Sequence, residues 1–143
     1  MEKYQQYGQM IKFFRQQKKM KQDELAVGIC TSSYLSRIEN GVVAAEQVVY
    51  ELLFERLSLN FEHYIQQQQA HEKFLEAFYE DLLSNKTIQT EQLQTLQQLY
   101  TTKEYPSLQI QVELLYTRYL LSVHDTKAAS NILKSLDNLI SPA

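Results

Sequence analysis

The chain has 143 residues, of which 44% are hydrophobic and 22% charged, which is ordinary for one large or two small globular domains. Only three glycines and two prolines are present, so we expect an all-α fold. The chain has no apolar run of about 18 residues and no signal-peptide core at its start, which predicts a cytoplasmic protein without a membrane contact.

The net charge of −3 is unevenly distributed. Residues 1–43 hold seven Lys and Arg against four Asp and Glu, whereas residues 44–143 hold seven against thirteen. Only the first segment therefore suits a polyanionic partner.

The first predicted helix covers residues 4–19 and is amphipathic, with apolar side chains at helical spacing on its inner face. Three basic residues cluster at its end, just before the next motif, namely Lys18, Lys19 and Lys21. They could lie along a phosphate backbone, or they could be a solvated helix end where lysine favours the helix dipole. Both interpretations stay open at this point.

Residues 22–41 predict two short helices joined by a tight turn. Gly28 occupies the bend, where a residue without a Cβ is favoured, and Thr31 can accept a hydrogen bond from a free N–H at the start of the second helix. In that helix Leu35 and Ile38 face the core. The opposite side carries small hydroxyl side chains and one arginine: Ser32, Ser33, Ser36 and Arg37. Such a face can approach base edges in the DNA major groove, and the arginine can pair bidentately with guanine.

The remaining sequence predicts a fourth helix that begins near residue 46, followed by four more helices. A long helix capped by Asn60 runs to about residue 83, and the others cover residues 90–101, 107–123 and 126–140. The glutamine tract at residues 66–69 is either exposed helix surface, which we favour for the glutamines themselves, or a polar linker or dimer contact. We place the domain boundary there, with residues 1–66 as one domain and 67–143 as a second.

The single Cys30 excludes an internal disulfide, and no Cys and His spacing suits zinc. We expect Cys30 to pack as a small apolar group, with a redox-sensing role as the less favoured alternative. No phosphate-binding loop or nucleophile arrangement is present, so we expect neither an enzyme nor a cofactor.

From Tyr7 to about Tyr64 the chain resembles the Cro/CI-type (XRE) helix-turn-helix domain, on the strength of the motif at residues 28–41. That motif is most similar to the Rgg/MutR and PlcR-like regulators, which combine such a domain with C-terminal helices of tetratricopeptide type that sense short signalling peptides in quorum sensing. The resemblance implies a five-helix, lambda-repressor-like DNA-binding domain followed by tetratricopeptide-like antiparallel helices. The segment from Tyr116 to Ala129 resembles the turn of a degenerate repeat, capped by Asp125.

The resemblance also implies a role for each motif residue. The residues expected to contact base edges are Ser32, Ser33 and Arg37. Those expected to contact sugar or phosphate are Gln22, Thr31, Tyr34, Ser36, Lys19 and Lys21. Gln22 additionally buttresses the recognition helix. Lys21 stands where the family usually has a capping Ser or Thr. Arg15 and Glu39 match an internal salt bridge and are assigned to stability.

Two functions remain open. The first is a transcriptional regulator that binds double-stranded DNA as a homodimer on a palindromic operator and is controlled through its C-terminal helices by a peptide or protein partner. The second is a helical adaptor that keeps the fold but binds another protein and not DNA. The basic segment and the polar recognition face favour the regulator.

Overall fold

Residues 2–140 are described by a computed structural model, without the side chains of residue 126 and residues 138–140. Over this range the chain forms helices and no strand, which confirms the predicted all-α class. The helices are α1 (Lys3–Gln17), α2 (Gln22–Ala26), α3 (Ser32–Glu39), α4 (Gln47–Arg56), α5 (Phe61–Leu83), α6 (Thr90–Thr102), α7 (Gln109–Ser122) and α8 (Thr126–Ile140).

The chain divides into two compact units, Met1–Gln67 and Gln68–Ala143, with the boundary inside α5. We call them unit 1 and unit 2 and describe each by itself. That residues 1–66 and 67–143 are independent domains stays a prediction.

Unit 1 is built around α3, which packs against α1 and α2. Eight large side chains are fully buried in this unit, seven from its first four helices and one, Leu57, from the C-cap of α4: Met10, Ile11, Leu25, Leu35, Ile38, Leu53, Phe54 and Leu57. Aromatic rings close one side of the core. The ring of Phe61 in α5 lies 5.1 Å from that of Tyr7 and 5.0 Å from that of Phe54.

Gly8 lets α1 and α3 approach closely. A Cβ at this position would overlap the carbonyl oxygen of Ile38 and lie 3.0 Å from its carbonyl carbon. Because these are backbone atoms, no side-chain rotation could relieve the overlap. The short distance between the two helices therefore depends on a glycine that the sequence pattern did not single out.

Helix α4 begins where it was predicted to begin, but its buried face differs from its most apolar face. Val48 and Leu52 are apolar, yet they are 51% and 42% exposed. The core instead receives Tyr50 and Phe54, together with Leu53. The phenol of Tyr50 also accepts a hydrogen bond from the Ala45 N–H at 2.9 Å, which ties down the loop before the helix; burial raises the pKa of this phenol.

Unit 2 consists of the rest of α5 with α6, α7 and α8, and α7 packs against both α6 and α8. Each of these four helices contributes buried apolar residues: Leu75, Phe78, Leu96, Leu99, Val112, Leu115, Leu120, Ala129, Ile132 and Leu136. Tyr105 and Leu108, between α6 and α7, are also buried. The predicted cap of α8 is present, because Asp125 Oδ1 accepts the Ala128 N–H at 3.2 Å. The tetratricopeptide resemblance stays a prediction.

Two expectations for unit 2 are wrong in detail. The helix predicted from residue 107 starts as a 3-10 turn, Pro106–Leu108, and becomes α-helical only at Gln109. The N–H of Leu108 donates to the carbonyl oxygen of Tyr105 at 2.9 Å, which is the i to i−3 bond of such a turn. In the glutamine tract, Gln68 is only 4% exposed rather than on the surface. Its side chain can be buried because its amide donates to Glu72 Oε1 at 3.3 Å.

Candidate nucleic-acid interface

The turn between α2 and α3 has the predicted geometry. Gly28 has a φ of +77°, in the left-handed region that favours glycine. The N–H groups of Ile29 and Cys30 both donate to the carbonyl oxygen of Ala26, at 2.9 and 3.0 Å. The backbone therefore reverses within a few residues and brings α3 against α2.

Arg56, the last residue of α4, stabilises the same turn from outside the motif. Its Nη1 donates to the carbonyl oxygen of Leu25 at 2.9 Å and also to that of Val27. These two carbonyls lie at the C-terminal end of α2, where backbone acceptors lack helical partners. Sequence reasoning missed this role, because Arg56 lies about thirty residues from the turn and nothing local marks it.

The start of α3 is capped as predicted. The side-chain oxygen of Thr31 accepts the N–H of Tyr34 at 3.0 Å. The remaining N–H groups of the first turn, together with the helix dipole, favour an anion at this end. Thr31 itself is exposed.

The two sides of α3 differ sharply in exposure. Leu35 and Ile38 are fully buried. The opposite side exposes Ser32, Ser33 and Arg37 to solvent. We call these three residues the α3 outer face. Tyr34 and Ser36, predicted to contact sugar or phosphate, flank this face and are half-buried.

An ion pair fixes the end of α3 to α1. Arg15 Nε lies 2.6 Å from Glu39 Oε2, and Arg15 Nη2 donates to Glu39 Oε1 at 2.9 Å. The Glu39 side chain is 1% exposed and that of Arg15 12%. The hydrogen bond to Glu39 raises the pKa of Arg15 above its ordinary value, against the opposing effect of burial. Arg15 also donates to the carbonyl oxygen of Met20 at 2.9 Å, so the pair reaches the segment before α2.

Gln22 joins this ion pair. Its amide nitrogen donates to Glu39 Oε1 at 3.0 Å, and the side chain is half-buried. Because a primary amide has two N–H groups, one of them remains for a second acceptor. Gln22 thus links α2 to α3, the geometry that buttressing of the recognition helix requires; its phosphate contact stays a prediction.

The three lysines that precede the motif are all exposed. Lys18 caps the C-terminal end of α1, and Lys19 adopts a left-handed φ of 56° immediately after it. Lys21 is the N-cap residue of α2 and makes no side-chain capping bond. Their ammonium groups are therefore directed to solvent on the connection between α1 and α2, and the phosphate-contact and solvated-surface interpretations are both compatible with this placement.

Cys30 is half-buried, and burial raises the pKa of its thiol. A raised pKa lowers the thiolate fraction near neutral pH, and the thiolate is the reactive form. The position therefore favours packing over redox sensing. Among residues 2–140, no group of three or more His, Cys, Asp and Glu side chains is arranged to hold a metal ion.

Residues 11–61 match the protein family described as Helix-turn-helix. This match supports the resemblance of these residues to an XRE-type helix-turn-helix domain, and with it a DNA-binding transcription regulator. Neither a curated protein nor a solved structure matches the chain. In the described part of the chain, no helix combines the length and the apolar character that crossing a membrane requires.

Proposed function

We propose that this protein is a sequence-specific regulator of transcription that inserts α3 into the DNA major groove and reads base edges with the α3 outer face. The observation that carries the proposal is the contrast between the two sides of one short helix. Its inner side is fixed by Leu35, Ile38 and the buried Glu39, while Ser32, Ser33 and Arg37 are exposed. A rigid helix that carries small polar side chains and one arginine, whose guanidinium can donate two parallel hydrogen bonds, suits direct contact with base edges.

Each residue of the α3 outer face has a distinct proposed role. Arg37 supplies a bidentate donor for O6 and N7 of guanine, worth about 1–3 kcal/mol of discrimination. Ser32 and Ser33 are short, so they let the helix approach the floor of the groove, and their hydroxyls can donate or accept. The recognised sequence would then depend mainly on Arg37.

Phosphate contacts would come from the residues around the α3 outer face. The second amide N–H of Gln22 and the dipole at the start of α3, next to Thr31, both favour a phosphate oxygen. Lys19 and Lys21 would add salt-dependent affinity without sequence information. Tyr34 and Ser36 would contact sugar or phosphate at the edges of the groove.

The finer assignment follows the Rgg/MutR and PlcR-like resemblance. It has the protein act as a homodimer on a palindromic operator, with two copies of α3 in major grooves about 34 Å apart. It also assigns control by a short peptide or a protein partner to the C-terminal helices. The compact character of unit 2, with its own buried core, supports a separate regulatory part.

The test is selection of bound duplexes from a random pool by the full chain, followed by affinity measurements at several salt concentrations. We expect a two-fold symmetric motif and a log affinity that falls linearly with log salt. The Lys19→Ala variant should make that slope shallower by about one unit, whereas Lys127→Ala, an exposed lysine of α8, should leave it unchanged. Recovery of no motif, with weak and salt-sensitive retention only, would overturn the proposal in favour of the protein-binding adaptor.

A further inference from the structure

The C-terminal end of α3 is closed by a Schellman motif, a turn in which two backbone hydrogen bonds reverse the chain. The N–H of Gly41 donates to the carbonyl oxygen of Ile38, and the N–H of Val42 donates to that of Arg37, both at 3.0 Å. Gly41 has a φ of +69°, the left-handed conformation that this motif needs after the last helical residues. The backbone of Val42 is therefore hydrogen-bonded to the backbone of Arg37, although the two residues lie five apart in the chain.

This turn is held in place from two sides. A Cβ at Gly41 would lie 3.1 Å from Cγ and 3.4 Å from Cβ of Gln5, so the turn packs closely on the side chain of Gln5 in α1. The ion pair between Glu39 and Arg15 fixes the last helical turn before it. Because valine is branched at Cβ and has few rotamers, Val42 presents a stiff apolar side chain at a fixed place beside α3.

The geometry of the motif selects Arg37 as the apolar partner of Val42. In a Schellman motif the residue at the position of Val42 commonly packs on the residue at the position of Arg37 or on the one before it, here Ser36. Ser36 has only a short hydroxyl side chain, whereas Arg37 has an apolar stem of three methylene groups. In the described part of the chain no carboxylate lies within ion-pair distance of the Arg37 guanidinium, so no charge draws it elsewhere.

We propose that Val42 is a positioning residue for Arg37: its side chain packs on the Arg37 methylene groups and orients the guanidinium before DNA binds. The inference rests on the proposed function, in which Arg37 pairs with guanine. Binding immobilises a long side chain at an entropic cost, and a contact that already orders Arg37 in the free protein lowers that cost. Because the cost arises only where Arg37 pairs with its base, Val42 raises discrimination between sequences rather than general affinity for DNA.

The test compares two affinities of the full chain: for the operator selected from a random pool, and for that operator with the base pair read by Arg37 changed in one half-site. We expect Val42→Ser to lower the ratio of the two affinities about two- to tenfold, the cost of ordering one long side chain. The loss should come from the selected operator, with the affinity for the changed operator retained. Equal weakening on both operators, or an unchanged ratio, would overturn the positioning role.

Further variants separate positioning from other effects. Val42→Ile keeps a branched apolar side chain and should keep the wild-type ratio. Val27→Ser is the matched control, because Val27 is as exposed as Val42, 65% in both cases, but lies in the turn before α3; it should keep the ratio as well. In an Arg37→Ala background, Val42→Ser should change the ratio no further, since the side chain that it positions is gone. A full effect in that background would show that Val42 acts on DNA without Arg37 and would overturn the proposal.

Nuclear magnetic resonance of the free protein tests the same contact without DNA. We expect nuclear Overhauser effects between the Val42 methyl groups and the γ and δ protons of Arg37. Their absence, in a chain that is folded by circular dichroism, would overturn the proposal whatever the DNA measurements show.

The inference and the proposed function fail in different ways. If Arg37→Ala leaves the base preference unchanged, the proposed function fails, and Val42 has no base-reading side chain to position. If Arg37→Ala removes the base preference and Val42→Ser does not reduce it, the proposed function stands and the positioning role fails.

Discussion

Replacement of Gly8 by alanine should destabilise unit 1 even though alanine is the better helix former. In the interior of α1 the change from glycine to alanine favours the helix by about 1 kcal/mol. The added Cβ, however, would overlap the carbonyl oxygen of Ile38 and lie 3.4 Å from the Cα of Glu39. Forcing a methyl group against packed backbone costs about 1–3 kcal/mol, and the overlap with an immobile atom places this site at the upper end. The net loss should be about 2 kcal/mol.

Thermal and urea denaturation followed by circular dichroism measure this loss, which corresponds to roughly 10 °C in Tm for a domain of this size. Position 12 provides the control, because Lys12 is exposed on the same helix. Lys12→Ala should be more stable than Lys12→Gly by about 1 kcal/mol, so glycine to alanine should have opposite signs at positions 8 and 12. If alanine stabilises at both positions, the close packing of α1 on α3 is not a constraint and the reasoning fails.

Three further predictions concern single buried or half-buried groups. Glu39→Ala leaves the guanidinium of Arg15, which is 12% exposed, without its carboxylate partner. The variant should lower the free energy of unfolding, measured by urea titration, by about 3–5 kcal/mol. A loss below about 1 kcal/mol would show that the ion pair contributes little to stability. Burial raises the pKa of Cys30, so its alkylation by iodoacetamide near pH 8 should be slower than that of the urea-unfolded chain, and equal rates would refute the packed position. Burial lowers the pKa of His71 against an opposing effect of Glu104, so as the pH falls the unfolded chain binds the proton before the folded chain does. The stability that neutral His71 contributes should therefore be complete above about pH 6.5 and be lost as the pH falls below it. A His71→Gln variant whose stability has the same pH dependence as wild type between pH 7 and 5 would contradict this.

The sequence was most informative where the physical cause lies within a few residues. Gly28 predicts its own turn because a residue without a Cβ adopts a positive φ without steric cost, and Thr31 predicts its own cap because its side-chain oxygen reaches a nearby N–H. The spacing of Leu35 and Ile38 likewise determines which side of α3 is buried. These signals placed the helix-turn-helix and the exposure of Ser32, Ser33 and Arg37.

Contacts between distant elements were not predictable in the same way. Gly8 and Arg56 act on backbone atoms about thirty residues away, and neither residue type has a local pattern that reveals the partner. Gln68 was expected on the surface because glutamine is polar, yet tertiary packing buries it. The buried face of α4 could not be predicted for a related reason: its apolar residues cover a wide arc of the helix, and only the neighbouring helices determine which part of that arc is buried.

The measurement that tests the central claim most directly is the affinity of wild type and Arg37→Ala for a selected operator and for its single base-pair variants. If the α3 outer face reads bases, Arg37→Ala should lose about 1–3 kcal/mol on the operator and lose discrimination at one base position of each half-site, while Lys127→Ala should retain both affinity and discrimination. Equal weakening of Arg37→Ala on every sequence would reduce this arginine to a phosphate contact. An unchanged affinity and an unchanged base preference would contradict the assignment of α3 as the recognition helix.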